Sequence, residues 1–539
     1  MSKHTEMKKG VFFIIILLLF DNQAARCQDE SAEIGLKAIT PDAIKAQMSF
    51  LASDWMEGRE AGEKGEYLAG DYIASLMQLY GLKPEGDYPR VRGYTQNSTP
   101  SERTYFQNFT LIKTSPGEEQ LLSLKTTEGS MVKSVPFEAS IDFFIRPQER
   151  SFEKEAPVLF AGYGFKNDRL KYNDFSNLDI KGKFILKISG VPQYAREKLT
   201  SEELSASVRE TENMLKNAGA AGIIEFTLST TTAGIQPVPG FLNMSPSETR
   251  IRAGGRYERY TIPGTTDREE LTRIVISERA ASLILQGTGI IINDYVKKAE
   301  SGKPVIIPVI NSKSIYAKSD VKTTAVQVRN VIGVIEGNNP DQVIVLGAHY
   351  DHEGISEGYI WNGADDNASG TVGILTIAKA IMATGIKPEK TIIIACWTAE
   401  EKGLLGSRYY VDNLSYPLKN LRLNVNFDMI SRYVSEDQPD LVTMTYTSSC
   451  TGFREMTENN LRKYGIELKV AFEPSDDPPG GSDHRSFVAA GVPVMRFKPG
   501  HREEYHTPDD EISTVDWDIM EKIIRISFTN VWELSNSQW

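Results

Sequence analysis

Cysteine is scarce in this chain: three residues in 539, namely Cys27, Cys396 and Cys450. Once an N-terminal leader is removed, at most one disulfide can form. That excludes a fold stapled by bridges and leaves stability to a large core. Cys396 closes the apolar run Thr391-Ile392-Ile393-Ile394-Ala395-Cys396 and reads as a small buried hydrophobe. Histidine is also sparse, at six residues, and the stretch from about 125 to 315 holds none, so no imidazole ligand comes from there. A basic excess is missing as well. Lys+Arg 60 against Asp+Glu 72 gives a net charge of −12 with no basic patch, which argues against a nucleic-acid partner. The apolar run Val11 to Phe20 falls short of the roughly 20 residues a membrane span takes. Internal repeats and low-complexity tracts are absent.

What is present begins with a processing signal. Lys8 and Lys9 precede the apolar run and Ala24 and Ala25 follow it, the layout of a secretory signal peptide over residues 1–27. The expected location is secreted or periplasmic, with no membrane span after removal. Cys27 as a lipid anchor is the lesser reading, because Arg26 stands where such signals take a small residue. Hydrophobic content of 40% and charged content of 24% are ordinary for a globular protein, and the length exceeds what one core holds, so two or more domains are expected.

Thr40-Pro41-Asp42 starts a helix, with Thr40 as N-cap and Ile44, Met48 and Leu51 on one face. A second helix is predicted over Tyr67 to Leu79, ending at Gly81. From about 125 the texture turns to strands, at Pro157 to Ala161 and Lys183 to Ile188. A helix over Glu202 to Asn217 and a strand over Ile223 to Phe226 follow. This stretch reads as a separate β-rich domain. From Asn330 onward, strands at Val331 to Ile335, Val343 to Ala348, Thr391 to Trp397, Leu421 to Phe427 and Val492 to Phe497 alternate with helices at Ser369 to Ala383, Leu404 to Asn413 and Asp516 to Leu534. Apolar strands alternating with helices indicate an α/β sheet covered on both faces.

The chemistry lies at those strand ends. His349-Tyr350-Asp351 ends one strand, Glu400-Glu401 follow another, Asp428 ends a third, and His506 comes after a fourth. Asp365-Asp366-Asn367 opens the intervening helix. In open α/β sheets, ligands bind beyond the carboxyl ends of the strands. Imidazoles and carboxylates delivered to one rim by distant segments are what zinc requires. Alone, each motif has a plain explanation: a turn rich in Asx residues for Asp365-Asp366-Asn367, a solvated helix start for Glu400-Glu401. Together they point to a hydrolase that uses two zinc ions.

These residues resemble the co-catalytic dizinc aminopeptidases of metallopeptidase family 28, relatives of glutamate carboxypeptidase and glutaminyl cyclase. Leu51-Ala52-Ser53-Asp54 with Glu57-Gly58-Arg59, and Gly81-Leu82-Lys83-Pro84 with Tyr105-Phe106-Gln107, are similar to the family's opening segment. Ala161-Gly162-Tyr163-Gly164, Lys181-Gly182-Lys183 and Ala218-Gly219-Ala220-Ala221-Gly222 resemble an inserted protease-associated domain. The resemblance implies a zinc exopeptidase fold, with a mixed central sheet flanked by helices. Residues 28–125 would form the N-terminal part of the peptidase domain, 126–315 the inserted domain and 316–539 the catalytic domain. It implies that Asp366 bridges two zinc ions, with His349 and Asp428 on one and Glu401 and His506 on the other. A cis Asp366-Asn367 bond is also implied. Asp351 would hold the His349 ring, Glu400 would be the general base, and Tyr505 would donate to a developing oxyanion. Asp483 is a weaker candidate beside the metals, and His484, His352 and His501 read as structural or loop residues. The tract Glu473 to Gly480 is a candidate cleft wall. The expected substrates are peptides with a free N-terminus. A carboxypeptidase or dipeptidase of the same fold, a glutaminyl cyclase, and a receptor-like relative without metals are the alternatives.

Overall fold

The computed structural model describes residues 30–89, 102–228, 258–265, 271–303, 305–356, 358–433, 435–500 and 502–539. The signal segment 1–27 with Cys27, and His501, lie outside the described residues. The chain divides into two compact units, one taking the chain up to Thr110 and again from Gln327, the other covering Leu111–Val326. The second unit starts earlier and ends later than the 126–315 stretch picked out by texture. Two strands of 23 residues, Phe106–Glu128 and Lys313–Ile335, carry the chain across the break points, so no change in texture marks them.

In the first unit the sheet runs in the order Lys469–Ser475, Leu441–Thr447, Val494–Lys498, Leu421–Asn426, Asn339–His349, Lys390–Trp397, and then the end of Lys313–Ile335. The four strands from Val494–Lys498 to Lys390–Trp397 are mutually parallel. Leu441–Thr447 and the 331–335 segment flank them antiparallel. The central strands are apolar on both faces: Val343, Ile344, Val345, Leu346, Ile392, Ile393 and Ile394 are all inaccessible to solvent. Burial on both faces is what continuous Val/Ile/Leu runs encode. The helices Gly370–Ala383 and Trp517–Asn536 pack with Pro41–Leu51 and Lys64–Leu79 into one core, through Val372, Ile377, Ile523, Met48 and Ile73. The Thr40 hydroxyl accepts from Ala43 N, which fixes the start of the Pro41–Leu51 helix as its Thr-Pro sequence predicts.

Parallelism decides where the site goes. Asn339–His349 sits between its sequence successors Lys390–Trp397 and Leu421–Asn426, so the chain leaves it first to one side and then to the other. This is a topological switch point, and the crevice beyond its carboxyl end is open for a ligand. His349 is the last residue of that strand.

The second unit has parallel strands of its own. Phe152–Phe160, Phe184–Ile188, Gly222–Phe226 and Arg273–Ile276 run parallel, with Phe143–Ile145 antiparallel at the edge. The Ser201–Asn217 helix opens with a capping box, Thr200 and Glu203 each accepting from the other's backbone N–H. Asp174 is buried and accepts from the hydroxyls of Tyr295 at 2.8 Å and Tyr172 at 3.1 Å. The core around Phe160, Phe184, Ile224 and Ile274 is separate from that of the first unit. No helix among the described residues is long and apolar enough to cross a membrane.

Candidate metal centre

Three loops leave the parallel strands and converge on the segment 364–369, which opens the Gly370–Ala383 helix. The peptide bond Asp366-Asn367 is cis. This segment is pinned from all sides. Asp510 accepts from the backbone N–H of Asp365 and of Asp366, both at 2.9 Å. The Asp365 carboxylate accepts from Ser431 N at 2.9 Å and Ser431 Oγ at 2.7 Å. The Asn367 amide donates to Phe427 O at 2.9 Å, and its Oδ1 accepts from Met429 N at 3.2 Å. The turn carrying Asp366 is therefore fixed to the loop carrying Asp428. Gly363 has φ +55°, and a Cβ there would stand 2.1 Å from Asp366 O and 2.5 Å from the His352 ring, so no side chain is admitted at this bend.

The Asp366 carboxylate then faces two ways. Its Oδ1 is 3.3 Å from His349 Nε2, and its Oδ2 is 3.1 Å from His506 Nε2. His349 Nε2 also lies 3.9 Å from Asp428 Oδ1 and 4.0 Å from Glu400 Oε2. His506 Nε2 lies 3.3 Å from Glu401 Oε2. Ligand atoms of His349, Asp366 and Asp428 fall within 4.8 Å of one another. The five residues expected as ligands are thus brought together, as two imidazole–carboxylate groups that share Asp366. Backbone in the left-handed region clusters here too, at Ala399 (φ 53°), Met429 (φ 59°) and His506 itself (φ 53°). Such conformations in residues other than glycine persist where the surroundings over-determine them, typically at functional sites.

Three placements differ from the sequence reading. The Asp351 carboxylate accepts from Glu400 N at 3.0 Å and Glu401 N at 3.3 Å, and stands 3.8 Å from His349 Nδ1. The atom facing His349 Nδ1 is the backbone carbonyl of Asp351, at 3.2 Å. Asp351 therefore orients the Glu400-Glu401 turn as much as the imidazole. His352, read as a loop residue, is fully buried with Nδ1 2.9 Å from Glu401 Oε1, its ring centroid 6.0 Å from that of His506. Arg59, quoted only as part of a motif, is a buried seam. Its guanidinium donates to Tyr350 O at 2.8 Å, Leu51 O and Asn362 O at 2.6 Å each, and Gly363 O at 2.9 Å. Its own carbonyl accepts from His352 N. The chain separation between Arg59 and these loops hides the role.

Tyr505 stacks on His506 with ring centroids 3.9 Å apart and is 39% exposed, so its phenol borders the hollow. Asp483 is buried with both carboxylate oxygens lacking a hydrogen bond among the described residues. His484 turns away, its Nε2 3.1 Å from Pro479 O. Of the tract Glu473 to Gly480, the residues that reach the hollow are Glu473 and Gly480.

The electrostatics call for cations. Burial, then the neighbouring Glu401, Asp483 and Asp428, push the Glu400 carboxyl well above its usual range. Burial opposes charge on His349 and His506, but the surrounding carboxylates outweigh it. Glu400, Asp366 and Asp428 raise His349, and Glu401 and Asp366 raise His506 to about 11. Asp483 is lifted to about 7, mainly by burial. A pocket this rich in carboxylate draws in positive charge of whatever kind is offered. Imidazole nitrogen and carboxylate oxygen are the donors that suit zinc. The hollow above them measures about 680 Å³, lined by His349, Glu400, Asp428 and Tyr505 among others.

A sheet with a crevice at its switch point, ringed by two imidazole–carboxylate groups, defines a metal-dependent hydrolase class. Residues 330–531 match the model described as Peptidase family M28, and the chain carries a domain of that family. It is 33% identical over 171 residues to leupeptin-inactivating enzyme 1 of Streptomyces exfoliatus, covering 31% of this chain and 34% of that protein. It is 34% identical over 190 residues to leucine aminopeptidase 2 of Arthroderma otae, covering 34% of each. The chain spans about a third of the length of these curated relatives. Among solved structures, an aminopeptidase from Aneurinibacillus sp. strain AM-1 aligns with a TM-score of 0.57 at 18% identity, over 94% of this chain and 97% of that one. BSAP, a zinc aminopeptidase from Bacillus subtilis, aligns with a TM-score of 0.51 at 20% identity, over 93% and 97%. At these identities the likeness is one of fold.

Proposed function

We propose that this protein is a zinc-dependent aminopeptidase that removes N-terminal residues from peptides, with two zinc ions per chain. The observation that carries the reading is the division of the Asp366 carboxylate between His349 and His506. One ion would be held by His349, Asp428 and Asp366, the other by His506, Glu401 and Asp366. Bound there, zinc supplies Lewis acidity to a peptide carbonyl and to a water. The remaining steps belong to the chain. Glu400, buried and with its proton affinity raised by its surroundings, takes a proton from the attacking water and returns it to the leaving amine. Asp351 holds the Glu400-Glu401 turn through the two backbone N–H groups, which keeps Glu400 free of the ligand set while Glu401 joins it. Tyr505 offers its hydroxyl to the developing oxyanion. The carboxylate excess favours an α-ammonium group, hence a substrate with a free N-terminus.

The second unit is read as an inserted protease-associated domain, and the protein as secreted or periplasmic after loss of residues 1–27. The test is hydrolysis of aminoacyl p-nitroanilides before and after chelation, with zinc added back. Activity abolished by chelator and restored by zinc is expected. Two bound zinc ions without cleavage of any free-amine amide would instead favour a carboxypeptidase, and absence of zinc a receptor-like role.

A further inference from the structure

The hollow has a polar floor beyond the metal ligands. Leu441–Thr447 and Val494–Lys498 pair antiparallel, with Thr443 opposite Lys498 and Thr445 opposite Arg496. Leu441–Thr447 and Lys469–Ser475 pair parallel, with Thr445 opposite Glu473. Side chains alternate between the faces of a strand. Met495 and Phe497 therefore go into the core, while Arg496 and Lys498 join Thr443, Thr445 and Glu473 in lining the hollow. Two cations thus stand side by side on the wall next to Asp428.

Both cations stand in the field of Asp428, yet neither makes an ion pair with a described residue. Arg496 donates from Nη2 to Pro479 O at 2.7 Å, but its Nε is shut off from solvent with no acceptor among the described residues. The Lys498 ammonium has as its hydrogen-bond partner Met429 Sδ at 4.0 Å, and makes no ion pair with a described residue. Glu473 lies two strands from Arg496, roughly 10 Å by strand spacing, and is solvent-exposed. It moderates the field without occupying either donor. Arg496 and Lys498 are both part-exposed where they line the hollow, so a ligand carboxylate entering it can take charge-assisted hydrogen bonds from them.

We propose that this floor receives the side chain of the N-terminal residue and selects an acidic one, glutamate or aspartate. The proposal rests on the aminopeptidase reading above. With the α-ammonium held by the carboxylates around Glu400 and the scissile carbonyl at the metal ligands, the terminal side chain is the part of the substrate left facing Arg496 and Lys498. Thr443 and Thr445 add hydroxyl donors to the same face.

The test compares kcat/KM for glutamyl, aspartyl, leucyl and alanyl p-nitroanilides, and for N-acetylated dipeptides with a free C-terminal carboxylate. The wild type is expected to prefer the acidic amides. Arg496→Met and Lys498→Met should each lower the glutamyl-to-alanyl ratio by about 10- to 100-fold, the usual cost of removing a charged hydrogen-bond partner from a substrate. Arg496→Lys should restore part of that ratio, and zinc content verifies that each variant is folded. Hydrolysis of leucyl or alanyl amides without an acidic preference, or a preference that survives both substitutions, overturns this proposal and leaves the aminopeptidase reading standing. Cleavage restricted to acetylated dipeptides places the recognised carboxylate at the C-terminus and overturns both.

Discussion

Arg59→Met isolates a residue that touches neither substrate nor metal ligand. The Arg59 guanidinium is 1% exposed and donates to four backbone carbonyls, two of them in the 362–363 bend that leads into Asp366 and one on Tyr350 between His349 and Asp351. Burial lowers its pKa to about 10, which still leaves it charged at neutral pH. Methionine keeps the length and apolar stem but removes every donor. Hydrogen bonds to a charged group are worth about 1.5–3 kcal/mol each, and four are lost. Relief of the buried ion's desolvation offsets part of this. The net loss expected is about 3–5 kcal/mol, the range for breaking a buried charged network. Urea unfolding followed by tryptophan fluorescence reads it, since Trp361 and Trp397 are buried in the same unit. The midpoint should fall with the slope unchanged. Zinc affinity by chelator competition should fall as well, because the loops bearing His349 and Asp366 lose their common tie. A loss under about 1 kcal/mol, with zinc affinity intact, would refute the view that Arg59 sets the geometry of the centre.

Three further outcomes are expected. Glu400→Gln keeps the fold and the bound metal but lowers kcat on aminoacyl amides by about 10²- to 10⁴-fold; near-normal turnover would remove Glu400 as the proton carrier. Asp510→Asn weakens the hold on the two N–H groups of Asp365 and Asp366, so metal affinity should drop roughly 10- to 100-fold, measured by competition with a chromophoric chelator; an unchanged affinity would show the turn to be fixed without it. Excising Leu111–Val326 and joining Thr110 to Gln327, whose side chains already meet at 2.9 Å, should give a folded unit with its metal content intact; a folded product with fewer than two zinc ions would contradict a self-sufficient first unit.

The rim of the site was legible because parallel strands write themselves as apolar runs, and a polar residue just past each run stands out. His349, Glu401 and Asp428 could be found that way, and the core helices by their 3.6-residue spacing. Lys469–Ser475 is not legible as a strand because none of its residues is fully buried, so no apolar alternation marks it, and it includes Pro474. The floor that adjoins it is hidden from the sequence for the same reason. His352 was passed over because it lies three residues beyond the strand end, where nothing local says that the chain turns back toward Glu401. Arg59 and Asp510 act across long separations in the chain, and no pattern within a window of sequence reports such contacts.

The division of the first unit between the two ends of the chain sets an order for its folding during synthesis. The helices Pro41–Leu51 and Lys64–Leu79 leave the ribosome with Met48, Leu51, Ile73 and Met77 needing a partner, and that partner includes Val372 and Ile377 of a helix made much later. All of Leu111–Val326 must be translated in between, roughly 10–40 s at the usual 5–20 residues per second. The inserted unit, whose core is its own, is free to close first. For that interval the opening helices are apolar surface without a core, so a nascent chain stalled within the insertion is the species that holdase chaperones should capture.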